Sequence, residues 1–274
     1  MELSQITARL ESLQELGDLV GALRSMAASR AQDAQEALDG TRAYKQVVER
    51  AISEIAPLVR DFAGDAASEK EAGQSLLVIA SENGFVGGFN SRLIGHALGL
   101  RAPDEQLLIV GRRGQVVASE KGMAELTGFP MTTRIEGVTT LARRIARALS
   151  NCASVRIVFA CRKTGALFDL AEKQVVPLAK LPQSELRTPP VTHVPSQKLL
   201  AGLTDEYLFA EIAHTLMESL ASENAARLGT MDAASRNIDK KLERLTRDMR
   251  VARQEETTSD MLDVVTGAEA ANQQ

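Results

Sequence analysis

From Ile6 to Val59 apolar and small side chains return in alternating steps of four and three. The stripe runs through Ile6, Leu10, Leu13, Val20, Ala27, Ala31, Ala34 and Leu38, and resumes at Val48, Ile52, Ile55 and Val59. This period predicts one long α-helix whose seam has to be covered by another helix. Gly17 and Arg24 occupy the two steps where an apolar residue is missing. The far end of the chain, about 204–267, repeats the rhythm. A seam that opens near Ala221, Asn224 and Leu228 continues through Met231, Ser235, Ile238, Leu242, Leu245, Met249 and Ala252, with Lys240, Lys241, Glu243, Arg244 and Arg247 on other faces and no Pro to interrupt it. At about 1.5 Å per residue, roughly 55 to 60 residues make a helix of about 85 to 90 Å, longer than a domain is wide. Such a helix cannot be buried in the chain's own core, so the two ends are expected to pair antiparallel.

The middle has a different period. Short apolar runs at 75–80, 106–110 and 155–160 alternate with helical patterns near 91–100, 113–121 and 140–151. Strands alternating with helices predict an α/β layer with a mostly parallel sheet. Residues 171–178 could add an edge strand. A polar linker at 64–73 enters the region, and an extended connection with four prolines at 181–196 leaves it. The expected architecture is α/β: an antiparallel coiled coil of long N- and C-terminal helices with an inserted α/β, Rossmann-like domain. Its parts are a first shaft helix over 1–63, the inserted domain over 72–196 and a second shaft helix over 204–274.

Composition removes several function classes. The 274 residues carry 32 basic and 36 acidic side chains, a net charge of −4, which does not indicate a polyanion binder. There is no Trp, with two Tyr and seven Phe, so aromatic platforms for stacked bases are nearly excluded and no nucleic-acid partner is expected. Cys152 and Cys161 are too few for a disulfide framework and do not form C-x-x-C, so two small buried hydrophobes in a reducing cytoplasm are expected. The opening Met-Glu-Leu-Ser-Gln has neither the charge nor the apolar run of a secretory or transit segment. No stretch approaches the ~20 apolar residues that span a bilayer. A membrane would be reached only through partners.

Few segments suggest chemistry. Ser81-Glu-Asn-Gly-Phe-Val-Gly-Gly-Phe-Asn90 follows the first strand and precedes a helix, where phosphate loops sit, but it is neither G-x-G-x-x-G nor a P-loop and contains no Lys. Spacing leaves two readings, a nucleotide site or a tight turn that uses Gly84, Gly87 and Gly88 for backbone room, with Asn90 or Ser91 as N-cap. His96, His193 and His214 lack a metal-ligand spacing, so no metal is expected. Arg112-Arg113 and Arg143-Arg144, with Arg134 and Arg147, make a local basic patch that reads as a solvated face. In the last helix Arg250, Arg253 and Glu256 fall off the seam, either as an exposed charged tail or as a surface for something outside the helix pair.

Three segments carry a resemblance. Ala221-Ser-Glu-Asn-Ala-Ala-Arg-Leu-Gly-Thr-Met-Asp-Ala-Ala-Ser-Arg-Asn237, the loop Asn83-Gly-Phe-Val-Gly-Gly-Phe-Asn90, and Ala252-Arg-Gln254 with the closing Thr258 to Ala268 are similar to the corresponding stretches of the gamma subunit of the F-type ATP synthase. The first helix departs from that pattern. Gly17, Asp18, Val20 and Gly21 replace the family's usual Gln, Lys, Thr and Lys, and Leu23 and Ser25 replace two Met. Arg30 keeps a positive charge where the family has Lys, and Asp260 shortens a Glu. The chain thus resembles a divergent bacterial member.

The resemblance implies a central rotor shaft, one copy per complex, with no catalytic residue and no cofactor of its own. Its partners would be the alpha, beta, epsilon and c-ring subunits, and its place the cytoplasmic face of the bacterial inner membrane. It also implies that Arg253 and Gln254 bond to a loop of the catalytic subunit, supported by Thr258 and Asp260, while Leu23, Arg24, Met26 and Arg30 form the opposing first-helix surface. Two other readings stay open on the residues alone: a coiled-coil scaffold carrying a small ligand-binding α/β domain, and a phosphate- or nucleotide-handling enzyme built on the Gly84 to Gly88 loop.

Overall fold

A computed structural model describes residues 3–59, 73–123, 125–163, 166–178 and 190–272. Most of the linker expected at 64–73, and the first half of the connection expected at 181–196, lie outside the described residues. Two compact units divide the chain, Met1–Met26 with Gly229–Gln274 and Ala27–Leu228. Two long helices, α1 (Leu3–Ile55) and α5 (Ser196–Asn272), contribute to both.

In the first unit the two helices pack through a thin seam. Val20, Met231 and Ile238 are buried, and Leu13, Leu23, Ala234 and Leu242 pack around them. The gaps in the stripe have distinct physical contents. At Gly17 the missing side chain lets Ile238 approach, so that an added Cβ would lie 3.4 Å from its Cγ2. At Arg24 the guanidinium Nε pairs with Asp232 Oδ1 at 2.5 Å. Gly17 faces Ile238 and Arg24 faces Asp232, so α5 numbers fall as α1 numbers rise and the pair is antiparallel.

The second unit is an α/β layer. Its strands are β1 (Gln74–Ile79), β2 (Glu105–Val110), β3 (Thr127–Phe129), β4 (Ser154–Lys163) and β5 (Ala166–Val176). The sheet order is β3-β2-β1-β4-β5. The first three pairings are parallel, with Leu77 opposite both Leu108 and Ile157, and only β4 and β5 run antiparallel. The connecting helices are α2 (Phe89–Leu100), α3 (Arg112–Glu120) and α4 (Val138–Leu149).

Period two sends alternate strand residues to opposite faces. Leu77, Ile79, Leu108, Val110 and Ile157 pack with α4, with Leu38, Val48, Ile52 and Ile55 of α1, and with Leu208, Ile212 and Leu216 of α5. Leu76, Val78, Leu107, Ile109 and Val158 pack with Phe89, Leu93 and Ile94 of α2 and Val117 of α3. Both faces being covered is why these strands are apolar throughout rather than alternating.

Several boundaries differ from the sequence reading, and α1 ends at Ile55, short of the 63 expected for the first shaft helix. The short edge strand β3 was not expected. β5 begins at Ala166, five residues before the edge strand proposed at 171–178. α5 starts at Ser196, directly after Pro195, at the end of the connection expected at 181–196 and eight residues before the start expected for the second shaft helix at 204. A proline just outside a helix costs no intrahelical hydrogen bond, so it marks the start of α5. At the other end of α1, Pro57 follows the last helical residue within a single 3₁₀ turn.

Candidate functional site

The C-terminal candidates lie together on one exposed stretch of α5 in the first unit. Arg253, Gln254, Thr258 and Asp260 are all exposed. The Thr258 hydroxyl donates to the Gln254 carbonyl at 2.8 Å and Thr257 to that of Arg253 at 2.8 Å, so both threonines back-bond to their own helix. Val251, Met261, Leu262, Val264 and Val265 add exposed apolar surface, with Val264 at 72%. The helix register explains this exposure. Carried along from Gly17 and Ile238, it puts Leu3, where described α1 begins, opposite about residue 252. Beyond that point α5 has no stretch of described α1 beside it.

The first-helix candidates are elsewhere. Leu23 is half-buried in the seam, Arg24 is engaged by Asp232, and Met26 is 48% exposed. Asp232 and Arg253 are 21 positions apart on α5, roughly 30 Å of helix. The structure therefore does not bring the two sets together. Arg30 is half-buried in the second unit, where its charge acts on the buried Glu223.

That carboxylate belongs to the strongest motif of the chain, Ala221 to Asn237. Glu223 lies on the inner side of α5, and burial lifts its pKa to about 7 against the pull of Arg227. Arg227 donates from Nη2 to Glu223 Oε1 at 2.5 Å and from Nη1 to Asn224 Oδ1 at 2.9 Å. Its Nε reaches the Gly84 carbonyl at 3.4 Å, tying the loop after β1 to the helix.

The loop itself is held by its own side chains. Ser81 N–H donates to Asn90 Oδ1 at 3.0 Å, Asn90 Nδ2 donates to Ser81 Oγ at 2.7 Å, and Ser81 Oγ donates to the Asn83 carbonyl at 2.8 Å. Glu82 Oε2 accepts the backbone N–H groups of Arg112 and Met131 at 3.1 and 2.8 Å, while its Oε1 pairs with Arg112 Nε at 3.0 Å. The N-cap expectation is corrected here. Gly88 caps α2, and Asn90 is buried inside the first turn, where it staples the loop. Of the three loop glycines only Gly87 uses left-handed backbone, at φ 58°, while a Cβ at Gly84 would meet open space and one at Gly88 only an ordinary contact with Arg92 Cδ at 3.9 Å. Phe85 also takes φ 59° and is 66% exposed, a functional candidate that the sequence did not single out. This is a tight, internally bonded turn.

The remaining polar groups divide clearly. Arg143 stacks over Phe209 at 4.5 Å and Arg144 over Phe129 at 5.4 Å, with Arg134 and Arg147 exposed. His96 and His193 are exposed, whereas His214 is partly buried beside Thr41. Cys152 and Cys161 form no disulfide and are half-buried rather than fully buried as expected, and Cys152 Sγ lies 3.2 Å from Ser75 Oγ. Among the described residues no group of three His, Cys, Asp or Glu is gathered for a metal ion, and no helix is long and apolar enough to cross a membrane.

Comparisons with known proteins agree with this geometry. A family model described as ATP synthase matches residues 2–271. The ATP synthase gamma chain of Solibacter usitatus is 28% identical over 283 residues, covering 98% of this chain and 99% of its own. That of Roseobacter denitrificans is 28% identical over 290 residues with the same coverage. Among solved structures, a chain of the Euglena gracilis mitochondrial ATP synthase rotor aligns with TM-score 0.64 at 13% identity, over 93% of this chain and 98% of its own. One from the central stalk and c-ring assembly of Tetrahymena thermophila gives 0.58 at 17%, over 79% and 99%. The chain belongs to the ATP synthase gamma-chain family.

Proposed function

We propose that this chain is the central shaft of a rotary ATP synthase and couples ion flow through a membrane sector to ATP synthesis or hydrolysis on neighbouring subunits. The observation that carries the reading is the antiparallel seam of α1 and α5, from which α5 continues as an exposed helix bearing Arg253, Gln254 and a run of apolar side chains. On this reading residues 1–63 and 204–274 form the shaft and 72–196 an inserted foot. The chain has no catalytic role. The catalytic sites lie on the beta subunits, and an asymmetric shaft within a ring of alpha and beta subunits touches each site differently. That difference biases the open and closed states of each site and hence its affinity for nucleotide. The foot meets epsilon and the c-ring, so the chain is peripheral, at the cytoplasmic face of a bacterial membrane.

Arg253 and Gln254 are the residues we assign to a catalytic-subunit loop, with Thr258 and Asp260 supporting them, and with Leu23, Arg24, Met26 and Arg30 as the first-helix surface. Charge-assisted hydrogen bonds of this kind are typically about 1.5 to 3 kcal/mol each, enough to favour a dwell position without locking it. The test is the purified complex reconstituted into vesicles with Arg253→Ala and Gln254→Ala together. Ion pumping per ATP hydrolysed is expected to fall, and an unchanged ratio would remove these residues from the contact.

A further inference from the structure

Within the second unit the apolar seam of α1 stops at Leu38 and resumes at Val48. Between them a polar layer joins three elements. Thr41 Oγ1 lies 3.1 Å from His214 Nδ1, and His214 Nε2 lies 3.8 Å from Glu218 Oε1. Arg42 Nη2 approaches the same Glu218 oxygen at 3.9 Å. Lys45 Nζ is 3.5 Å from Glu211 Oε1, and Lys173 Nζ, from β5, is 2.5 Å from that same oxygen. The Glu211 side chain is 0% exposed, and its Oε2 has no hydrogen-bond partner among the described residues.

This is an uneconomical way to fill an interior. A buried carboxylate with one oxygen shared by two cations and the Tyr207 hydroxyl beside it carries a large desolvation cost, and apolar side chains of similar volume usually pack at least as stably. Buried polar groups in helix seams are best attested as devices that fix register. The geometry suits that role. Apolar contacts are non-directional, so Leu38 or Val48 meets comparable surface after a small shift. The two ammonium groups converge on one oxygen atom, and a shift of either α1 or β5 relative to α5 breaks one of those contacts.

We infer that Glu211 is a mechanical clasp, holding α1 through Lys45 and β5 through Lys173 so that the helix pair and the sheet edge cannot creep past one another under load. The mechanical use of the clasp rests on the shaft reading; the clasp itself does not.

The test uses the full chain with Lys45→Met, Lys173→Met and Glu211→Met combined, alone and assembled in the vesicle-reconstituted synthase. Hydrogen exchange of the isolated chain reports the clasp, and ions pumped per ATP hydrolysed report its use. The triple variant is expected to unfold no more easily than wild type, yet to exchange about tenfold faster over 41–48 and 170–176 and to pump severalfold fewer ions per ATP. Wild-type exchange in the triple variant would overturn the clasp, and wild-type pumping with raised exchange would overturn its mechanical use. Should the triple variant not fold, Lys45→Met alone decides: it must speed exchange over 41–48 and spare 170–176, and any other pattern refutes the assignment. Failure of the wild-type chain to assemble with alpha and beta subunits would defeat the shaft reading, while the exchange result would still stand for the clasp.

Discussion

A methyl group added at Gly17 would sit 3.4 Å from Ile238 Cγ2, whereas one added at Gly21 would meet nothing within 4 Å. Both glycines weaken an α-helix by backbone entropy, about 0.5 to 1 kcal/mol relative to Ala. Gly21→Ala and Gly17→Ala are therefore both expected to raise the urea midpoint, while Gly17→Leu, which must push into the Ile238 contact, should lower stability by about 1 to 3 kcal/mol. Arg227 is a further case. Replacing it with Met removes the donor to Glu223, Asn224 and the Gly84 carbonyl and leaves Glu223 to take up a proton, and a loss of about 1 to 3 kcal/mol is expected in the same measurement.

His214 supplies a pH signature. Burial first, then the nearby Lys45 charge, lower its pKa from 6.5 to about 4. The unfolded chain therefore takes up this proton before the folded one. The contribution of neutral His214 is complete above pH 6.5 and is lost as pH falls toward 4. Glu218 and Glu223, both raised by burial, work in the opposite direction. The comparison with His214→Gln isolates the histidine: between pH 6.5 and 4 wild type should lose more denaturant stability than the variant. At this scale the sequence was a partial guide. It marked Gly17 and Arg24 as breaks in a stripe, but it did not reveal that Asn90 staples a loop instead of capping a helix. Both uses of Asn obey the same local hydrogen-bond chemistry, and only the depth of the side chain separates them.

Among the elements, α3 is held by an unusually close approach to the end of β1. An added Cβ at Gly114 would lie 2.2 Å from that of Ala80. Gly114→Val is expected to displace α3 and cost about 1 to 3 kcal/mol, seen as faster hydrogen exchange over 112–120 than over α2. The three central strands were legible because they are apolar on both faces and bounded by loops. β3 was not, since Thr127-Gly-Phe129 is too short to show a period. β5 was seen late because Asp169 interrupts its apolar pattern ahead of residue 171. One charge is paid for by a partner two strands away: Arg156 on β4 forms a bidentate pair with Glu105 at 2.6 and 2.9 Å and holds Glu105 ionised despite its burial.

At the scale of the whole chain, family membership and the paired terminal helices were both legible, because a sustained heptad-like stripe and three long motifs are dense signals. The contact surface was less so. Periodicity can say that Arg253 leaves the seam, but not that Arg24, by facing Asp232, stands roughly 30 Å of helix away from it. That separation depends on the register, which the small and polar seam positions set. The shaft reading makes its sharpest claim about motion. With the catalytic ring fixed to a surface and a bead attached to an introduced cysteine at the exposed His96 of a Cys152→Ala, Cys161→Ala chain, ATP hydrolysis should turn the bead continuously in one direction. A bead that stays still while the same complexes hydrolyse ATP at the wild-type rate would contradict the account.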